Sequence, residues 1–353
     1  MSDALGPRIF CSSLQDEAWT TPPSATAYQS WHFDALSDDG SEAIVVSFHD
    51  NFILSPSYHA MRRDVNPRPR LPAIKFVYFA AGRPVVSVVA EFKDGQFTAG
   101  SRSQEWRLGG SSFRHADADY GSGSMVELDL PMRGGRRVHA ELEWLQIEAD
   151  LGSSPPDEYT GRIWNASVPR ADVSGRIRLI GKNGDERQFF HFRGTGYHDS
   201  VRSGAVDLDD LKSRMWGRAH FSDAVVIFER HGGVADYAAA GMFAVLKDGE
   251  LTQHTAACLA TEHRRHQWGI SIPGRMAYVA ENGTRLRIKP RQSIASNICE
   301  TKMLSDVDLY DADGKHRHTV GITEFIDPGR MNSRVFRVLA DLKTARNDRA
   351  SWF

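Results

Sequence analysis

The sequence predicts a nearly all-β protein whose two β-rich halves enclose an apolar pocket, and three observations carry that expectation. The chain has 353 residues, beyond the roughly 100 to 200 of a typical single domain. Short apolar or alternating runs rich in β-branched and aromatic residues recur from Ala43 onward, with the length and composition of strands. Between them stand Asp39-Gly40, Asp94-Gly95, Asn183-Gly184, Asp248-Gly249, Asn282-Gly283 and Asp313-Gly314, pairs that supply the positive φ of tight hairpins. Meanders of this kind close into barrels or sandwiches.

In chain order, residues 1–27 are Ser/Thr/Pro-rich and are expected to drape over the surface. An N-terminal β domain over 28–205 follows, with strands expected at Ala43–Phe48, Ile74–Phe79, Val85–Phe92, Met125–Leu130, Val138–Ile147 and Gln188–Arg193. Gly152-Ser153-Ser154-Pro155-Pro156 interrupts it as a long loop. The junction is placed in the acidic, non-periodic stretch Ser200–Leu211, and a C-terminal β domain over 206–353 repeats the style. Its strands are expected at Ala224–Phe228, Met242–Leu246, Leu251–Leu259, Gln267–Ile272 and Arg285–Ile288. Only Val206–Met215 and Arg334–Arg346 hold helical patterning, and the second also reads as a terminal strand followed by a helix.

Composition narrows the function. Hydrophobic residues make up 41% and charged residues 25%, with a formal net charge of -2, so no excess of one sign calls for nucleic acid. The opening residues lack the cationic and apolar blocks of a secretory signal. No apolar run approaches the roughly 18 residues that cross a bilayer. Cys11, Cys258 and Cys299 are too few and scattered for a disulfide framework or thiolate cage. A reducing, cytoplasmic setting fits; the oligomeric state is open.

One cluster carries candidate chemistry: Phe192-Arg193-Gly194-Thr195-Gly196-Tyr197-His198-Asp199, followed by Trp216-Gly217-Arg218-Ala219-His220. The glycines are expected to let the backbone bend and aim side chains into a shared space. In a regular strand Tyr197 and Asp199 share one face while His198 takes the other. A buried Asp beside aromatic surface is pushed toward its neutral form and becomes a proton donor; the plain alternative is that Tyr197 and Asp199 only tie down a turn. His191, His198, Asp199 and His220 are metal-ligand types, but their spacing matches no metal motif, so none is expected. Nucleophile-elbow, phosphate-loop and dinucleotide motifs are absent from the sequence. Trp31, Phe33, Phe52, Tyr58, Trp164 and Trp216 could line an apolar cavity, although strand aromatics are core by default. Asp34 and Glu324 stand between substrate contact and solvent-facing carboxylate in the same way.

SWHFDALSDDG (Ser30–Gly40), FILSPSYHAMRRDVNPRP (Phe52–Pro69), WNASVPRADVSG (Trp164–Gly175), FRGTGYHDS (Phe192–Ser200) and MWGRAHF (Met215–Phe221) together resemble the carotenoid hydratase and hydroxyneurosporene synthase family. Lipocalin-like relatives of that family include fungal Diels-Alder and hetero-Diels-Alder cyclases. The resemblance implies two lipocalin-like β domains packed together, a hydrophobic small-molecule ligand between or within them, and no cofactor. The hydratase branch carries a His-x-Trp pair and a Tyr-x-Asp pair; here these match Arg162-Ile163-Trp164 and Tyr197-His198-Asp199. Arg162 replaces the histidine, and an arginine stays charged and is a poor general acid.

The leading expectation is therefore a cofactor-independent cyclase of specialised metabolism. It would run a Diels-Alder-type cycloaddition of a terpenoid or polyketide by preorganisation, worth ~7–11 kcal/mol in favourable cases, with hydrogen-bond activation from Tyr197, His198 or Arg218. Asp199 completes the candidate catalytic set. Trp31, Asp34, Phe52, Tyr58, Trp164, Asn165, Trp216, His220 and Glu324 are the candidate substrate contacts, with Trp31, Trp164 and Trp216 as the mould. The alternatives are acid-catalysed hydration or dehydration of an isoprenoid through Asp199, and a non-catalytic carrier.

Overall fold

The computed structural model describes residues 9–60, 70–100, 105–152, 154–155, 161–204, 213–231 and 237–345. These fall in two compact units, Met1–Asp210 with Arg337–Phe353, and Leu211–Phe336. The last described residues thus return to the first unit, where a continuous domain over 206–353 was expected.

The first unit carries β1 (Ile9–Cys11), β2 (Tyr28–Leu36), β3 (Ala43–His49), the short helix α1 (Pro56–Ala60), β4 (Ala73–Ala80), β5 (Arg83–Glu91), β6 (Phe97–Ala99), β7 (Glu105–Leu108), β8 (Ser111–Ala118), β9 (Gly121–Pro131), β10 (Arg137–Glu148), β11 (Arg162–Ile180) and β12 (Glu186–Ser203). The second holds β13 (Arg214–His220), β14 (Val225–His231), β15 (Ala238–Lys247), β16 (Glu250–Thr261), β17 (Arg264–Arg265), β18 (Ser271–Ile272), β19 (Arg275–Ala280), β20 (Arg285–Ser296), β21 (Glu300–Tyr310) and β22 (His316–Ile326). Helix α2 (Arg334–Lys343) and β23 (Thr344–Ala345) follow. The first unit is a 13-stranded sheet in the order β23-β5-β4-β3-β2-β12-β11-β10-β9-β8-β7-β6, with β1 joining β11. The second closes as an eight-stranded barrel, β13-β14-β15-β16-β19-β20-β21-β22.

All six Asn/Asp-Gly glycines take positive φ, for example 69° at Gly40 between β2 and β3 and 84° at Gly184 between β11 and β12, as their hairpins demand. Alternation sorts the first sheet into two faces. Trp31, Phe33 and Ala35 of β2 enter the apolar core with Phe48, Phe76, Trp106, Phe113 and Trp144. Trp106 stacks on Phe113 at 4.2 Å, and Trp31 lies 5.3 Å from Trp106. His32 and Asp34 fall on the opposite face. The barrel interior is likewise filled, by Met215, Phe228, Phe243, Cys258, Tyr278 and Phe325.

Four sequence expectations differ from the fold. Within the described residues 9–27 the segment does not simply drape over the surface: β1 runs parallel to β11, and Cys11, Ser12, Ser13 and Glu17 are buried. Gly194 and Gly196 do not flank a strand end; both lie inside β12, and neither has positive φ. They permit close approach instead, since a Cβ at Gly196 would lie 2.4 Å from Val173 Cγ2 and 2.6 Å from the Trp144 indole nitrogen. Gln267–Ile272 forms a 3-10 helix over Gln267–Gly269 and only a two-residue strand, because Trp268 and Gly269 take φ of 63° and 75°. The C-terminal helix precedes its strand rather than following it. Most of Val206–Met215 lies outside the described residues, and its Arg214 and Met215 open β13; of Gly152–Pro156, Ser153 and Pro156 lie outside them, and Gly152, Ser154 and Pro155 belong to no strand or helix.

Candidate active site

The site grows from the pairing of β2 with β12. Tyr197 stands opposite Asp34, and Asp199 opposite His32, so four polar side chains meet on the face away from the aromatic core. On the other flank of β12, Trp164 pairs with Val201 and shares that face. A bulge in β11 between Asn165 and Val168 follows Trp164 directly, in the position where bulges commonly re-aim a side chain.

Asp199 is the centre. It is 2% exposed, and it accepts two hydrogen bonds, from Trp164 Nε1–H at 2.7 Å and from the Tyr197 hydroxyl at 2.8 Å. Both fall on Oδ2, and no described residue donates to Oδ1. Burial pushes the Asp199 carboxyl above its ordinary value of 3.8, against the pull of His32, Trp164 and Tyr197. Burial, then the neighbouring Asp199, holds the Tyr197 phenol well above its ordinary value. A phenol held above its ordinary value and a carboxyl shifted toward its neutral form stand side by side in a buried setting. His32 links the next positions, with Nε2 3.1 Å from Asp34 Oδ2 and Nδ1 3.0 Å from Ser47 Oγ.

The remaining predicted residues distribute as follows. Arg162 is buried two positions before Trp164, hence on the same face of β11. Phe52 packs against His49 at 5.0 Å, and Tyr58 is buried on α1. His198 was expected among the catalytic groups, but it points to the core side and stacks on Phe33 at 3.8 Å. Trp31 belongs to that core too, so it is no wall of a mould shared with Trp164. Asn165 is engaged with the N-terminal segment, accepting from Ser13 N at 2.8 Å and donating to Ser13 O at 2.6 Å.

Trp216, Arg218, His220 and Glu324 lie in the second unit. Arg218 Nη1 is 3.2 Å from His220 Nδ1. Glu324 binds Lys302 at 2.6 Å, with Glu300 3.3 Å from the same ammonium. Burial disfavours the charge on Lys302, but the two glutamates outweigh it and raise its pKa. Lys302, His32 and Glu17 were missed by sequence reasoning. His32 had a signal, since it lies two residues before Asp34; Glu17 had none.

Among the described residues no group of three or more His, Cys, Asp and Glu is arranged to hold a metal, and no helix is long and apolar enough to cross a membrane. A cavity of about 280 Å³ lined by Glu91, Phe92, Gly110, Asp129 and Arg137 contains none of the site residues.

Fold and site thus define a lipocalin-like β protein with a buried Tyr-x-Asp dyad beside a tryptophan. A Chlorobaculum tepidum protein named hydroxyneurosporene dehydrogenase is 24% identical over 348 residues, covering 93% of this chain and 90% of its own. The fold is similar to an AttH-type protein of Nitrosomonas europaea, with a TM-score of 0.60, 12% identity and coverage of 89% and 95%. It is also similar to CghA in complex with Sch210972, with a TM-score of 0.57, 14% identity and coverage of 88% and 94%. No family model matches the chain. The resemblance to the carotenoid hydratase and hydroxyneurosporene synthase group, with its lipocalin-like relatives, holds along nearly the whole sequence.

Proposed function

We propose that the protein is an enzyme of specialised metabolism that works as an acid catalyst on a hydrophobic, unsaturated isoprenoid or polyketide, with Asp199 as the proton donor. The observation that carries this reading is that both hydrogen bonds to Asp199 fall on Oδ2. In the neutral acid Oδ2 is the carbonyl oxygen, and Oδ1–H is left to face a substrate. The donated proton forms a C–H bond as the alkene π bond breaks, leaving a carbocation beside the Trp164 ring, whose face favours positive charge. Tyr197 O–H and Trp164 N–H then stabilise the new carboxylate. Water adds to the cation and returns a proton to the Asp199 carboxylate, giving net hydration; loss of a neighbouring C–H proton to that carboxylate gives isomerisation, and the same loss after a second alkene has attacked and carried the charge onto its own carbon gives cyclisation.

Cycloaddition by hydrogen-bond activation is the second reading. Arg162 favours it, because the resemblance places a histidine there in hydratases. The fold likeness to CghA, solved with Sch210972 bound, is compatible with it. Binding of a hydrophobic small molecule belongs to both.

The test is incubation of the purified protein, with and without EDTA, with an isoprenoid alkene and with polyene or quinone-methide precursors, followed by chiral chromatography and mass spectrometry. A product heavier by one water, or a rearranged isomer that takes up solvent deuterium at carbon, supports acid catalysis. An isomeric cycloadduct without deuterium at carbon selects the second reading. Tight binding without acceleration of any precursor makes the protein a carrier and overturns both.

A further inference from the structure

We propose that Glu17 is a positioning residue for the Tyr197–Asp199 site, acting through His198, the residue that separates the two in β12. The proposal rests on the reading of Asp199 as the proton donor and extends it to the opposite side of the sheet.

The 3-10 helix Gln15–Glu17 carries the Glu17 carboxylate into the interior, where it binds His198 Nε2. Glu17 is 4% exposed and His198 fully buried. On its other nitrogen, His198 Nδ1–H donates to the main-chain oxygen of His32 at 2.9 Å. Both ring nitrogens therefore face acceptors, and an imidazole with two acceptors carries two protons. The imidazolium lies flat on Phe33, with centroids 3.8 Å apart and planes at 7°, in the geometry of a cation over a ring face. The charged or titratable groups that act on it are Glu17 from the 3-10 helix and Asp199 from its own strand; the His32 carbonyl and Phe33 face it from β2, and the Phe113 ring lies 6.4 Å away.

Two consequences reach the site. The bond to the His32 carbonyl crosses from β12 to β2 where Asp199 faces His32, adding a side-chain tie to the ladder that sets Tyr197 and Asp199 against His32 and Asp34. The positive charge held one residue from Asp199 also favours the carboxylate left after proton donation. A role in packing alone explains neither. Apolar side chains would fill the same volume, and a buried ion pair is weak evidence of stabilisation.

The test follows the infrared C=O band of protonated Asp199 across pH, assigned by its absence in Asp199→Asn. Glu17→Gln keeps an oxygen toward His198 but removes the charge that holds the second proton. The expected result is an upward shift of the Asp199 midpoint corresponding to about a tenfold loss of acidity, with kcat falling and KM nearly constant, and with partial recovery in Glu17→Asp. An unmoved midpoint in folded Glu17→Gln protein overturns the proposal. Should that variant fail to fold, nitrogen-15 NMR of the histidines in the unmodified protein decides: a neutral His198 near pH 7 refutes the arrangement, and a doubly protonated one supports it. A fully active Asp199→Asn variant would instead refute the acid reading of the site, while leaving the effect of Glu17 on Asp199 separately measurable.

Discussion

Replacing Asp199 with asparagine separates the two chemistries that the site permits. Asparagine retains an oxygen that accepts from Tyr197 O–H and Trp164 N–H, the bonds now 2.8 and 2.7 Å long, and sets an NH2 where Oδ1 stands. That group donates a hydrogen bond but transfers no proton. If Asp199 protonates substrate, kcat should fall by about 10²- to 10⁴-fold, the usual contribution of a general acid, or roughly 3 to 5 kcal/mol of barrier. If the site only polarises a substrate by hydrogen bonding, the loss should stay within about tenfold. Stability supplies an independent reading. Because burial raises the folded-state pKa above 3.8, the folded protein keeps a proton that the unfolded chain has released. Stability from this group is full below that value and is lost as pH rises through the folded pKa. The melting temperature of Asp199→Asn should therefore decline less with rising pH than that of the parent protein. Single-turnover rates beside thermal melts across pH provide both measurements, and near-parental turnover by a folded variant would refute the proton-transfer argument.

Other perturbations test neighbouring parts of the structure. Trp164→Phe keeps an aromatic face, smaller than the indole, but removes the N–H donor to Asp199, and Tyr197→Phe removes the O–H; each should slow turnover by about ten- to a hundredfold, the worth of one hydrogen bond to a charged group, read as kcat with KM little changed. Gly196→Ala drives a Cβ to 2.4 Å from Val173 Cγ2 and 2.8 Å from Asp34 O, so a loss of ~1–3 kcal/mol or more is expected from the denaturation midpoint. Lys302→Met strands Glu300 and Glu324 in a buried setting; urea unfolding should show a loss of ~3–5 kcal/mol. Trp106→Ala, which empties the stack with Phe113, should cost ~3–5 kcal/mol by the same assay.

Local chemistry made much of this legible. The period of two in β12 places Tyr197 with Asp199 and apart from His198 before any fold is known, whereas in Ser30-Trp31-His32-Phe33-Asp34 the same period was not enough to keep Trp31 out of the expected pocket with Asp34. The Asn/Asp-Gly pairs mark hairpins because few other residues accept their backbone angles. What escaped depends on partners distant in sequence. Nothing near Glu17 announces a bond to His198, 181 residues away. Gly194 and Gly196 suggested a bend, whereas the Trp144 indole and β2 backbone that require their missing side chains come from other strands. Trp31 and Asn165 have the right residue types for a pocket, but one is claimed by the aromatic core and the other by Ser13. Single-strand patterning tells which side a residue faces; it does not tell what already occupies that side.

The order of the units along the chain has a consequence for biogenesis. The second unit occupies one uninterrupted stretch, while the sheet of the first gains its last edge strand only when β23 pairs in parallel with β5, Thr344 beside Val89 and Ala345 beside Ala90. During synthesis the barrel can form from contiguous chain, yet the sheet that carries Asp199 must wait with β5 as an open edge until almost the last described residues have emerged. An edge left unpaired for that long invites association with other chains. A nascent chain stalled before Thr344 would thus be vulnerable to aggregation even though every site residue had already been made.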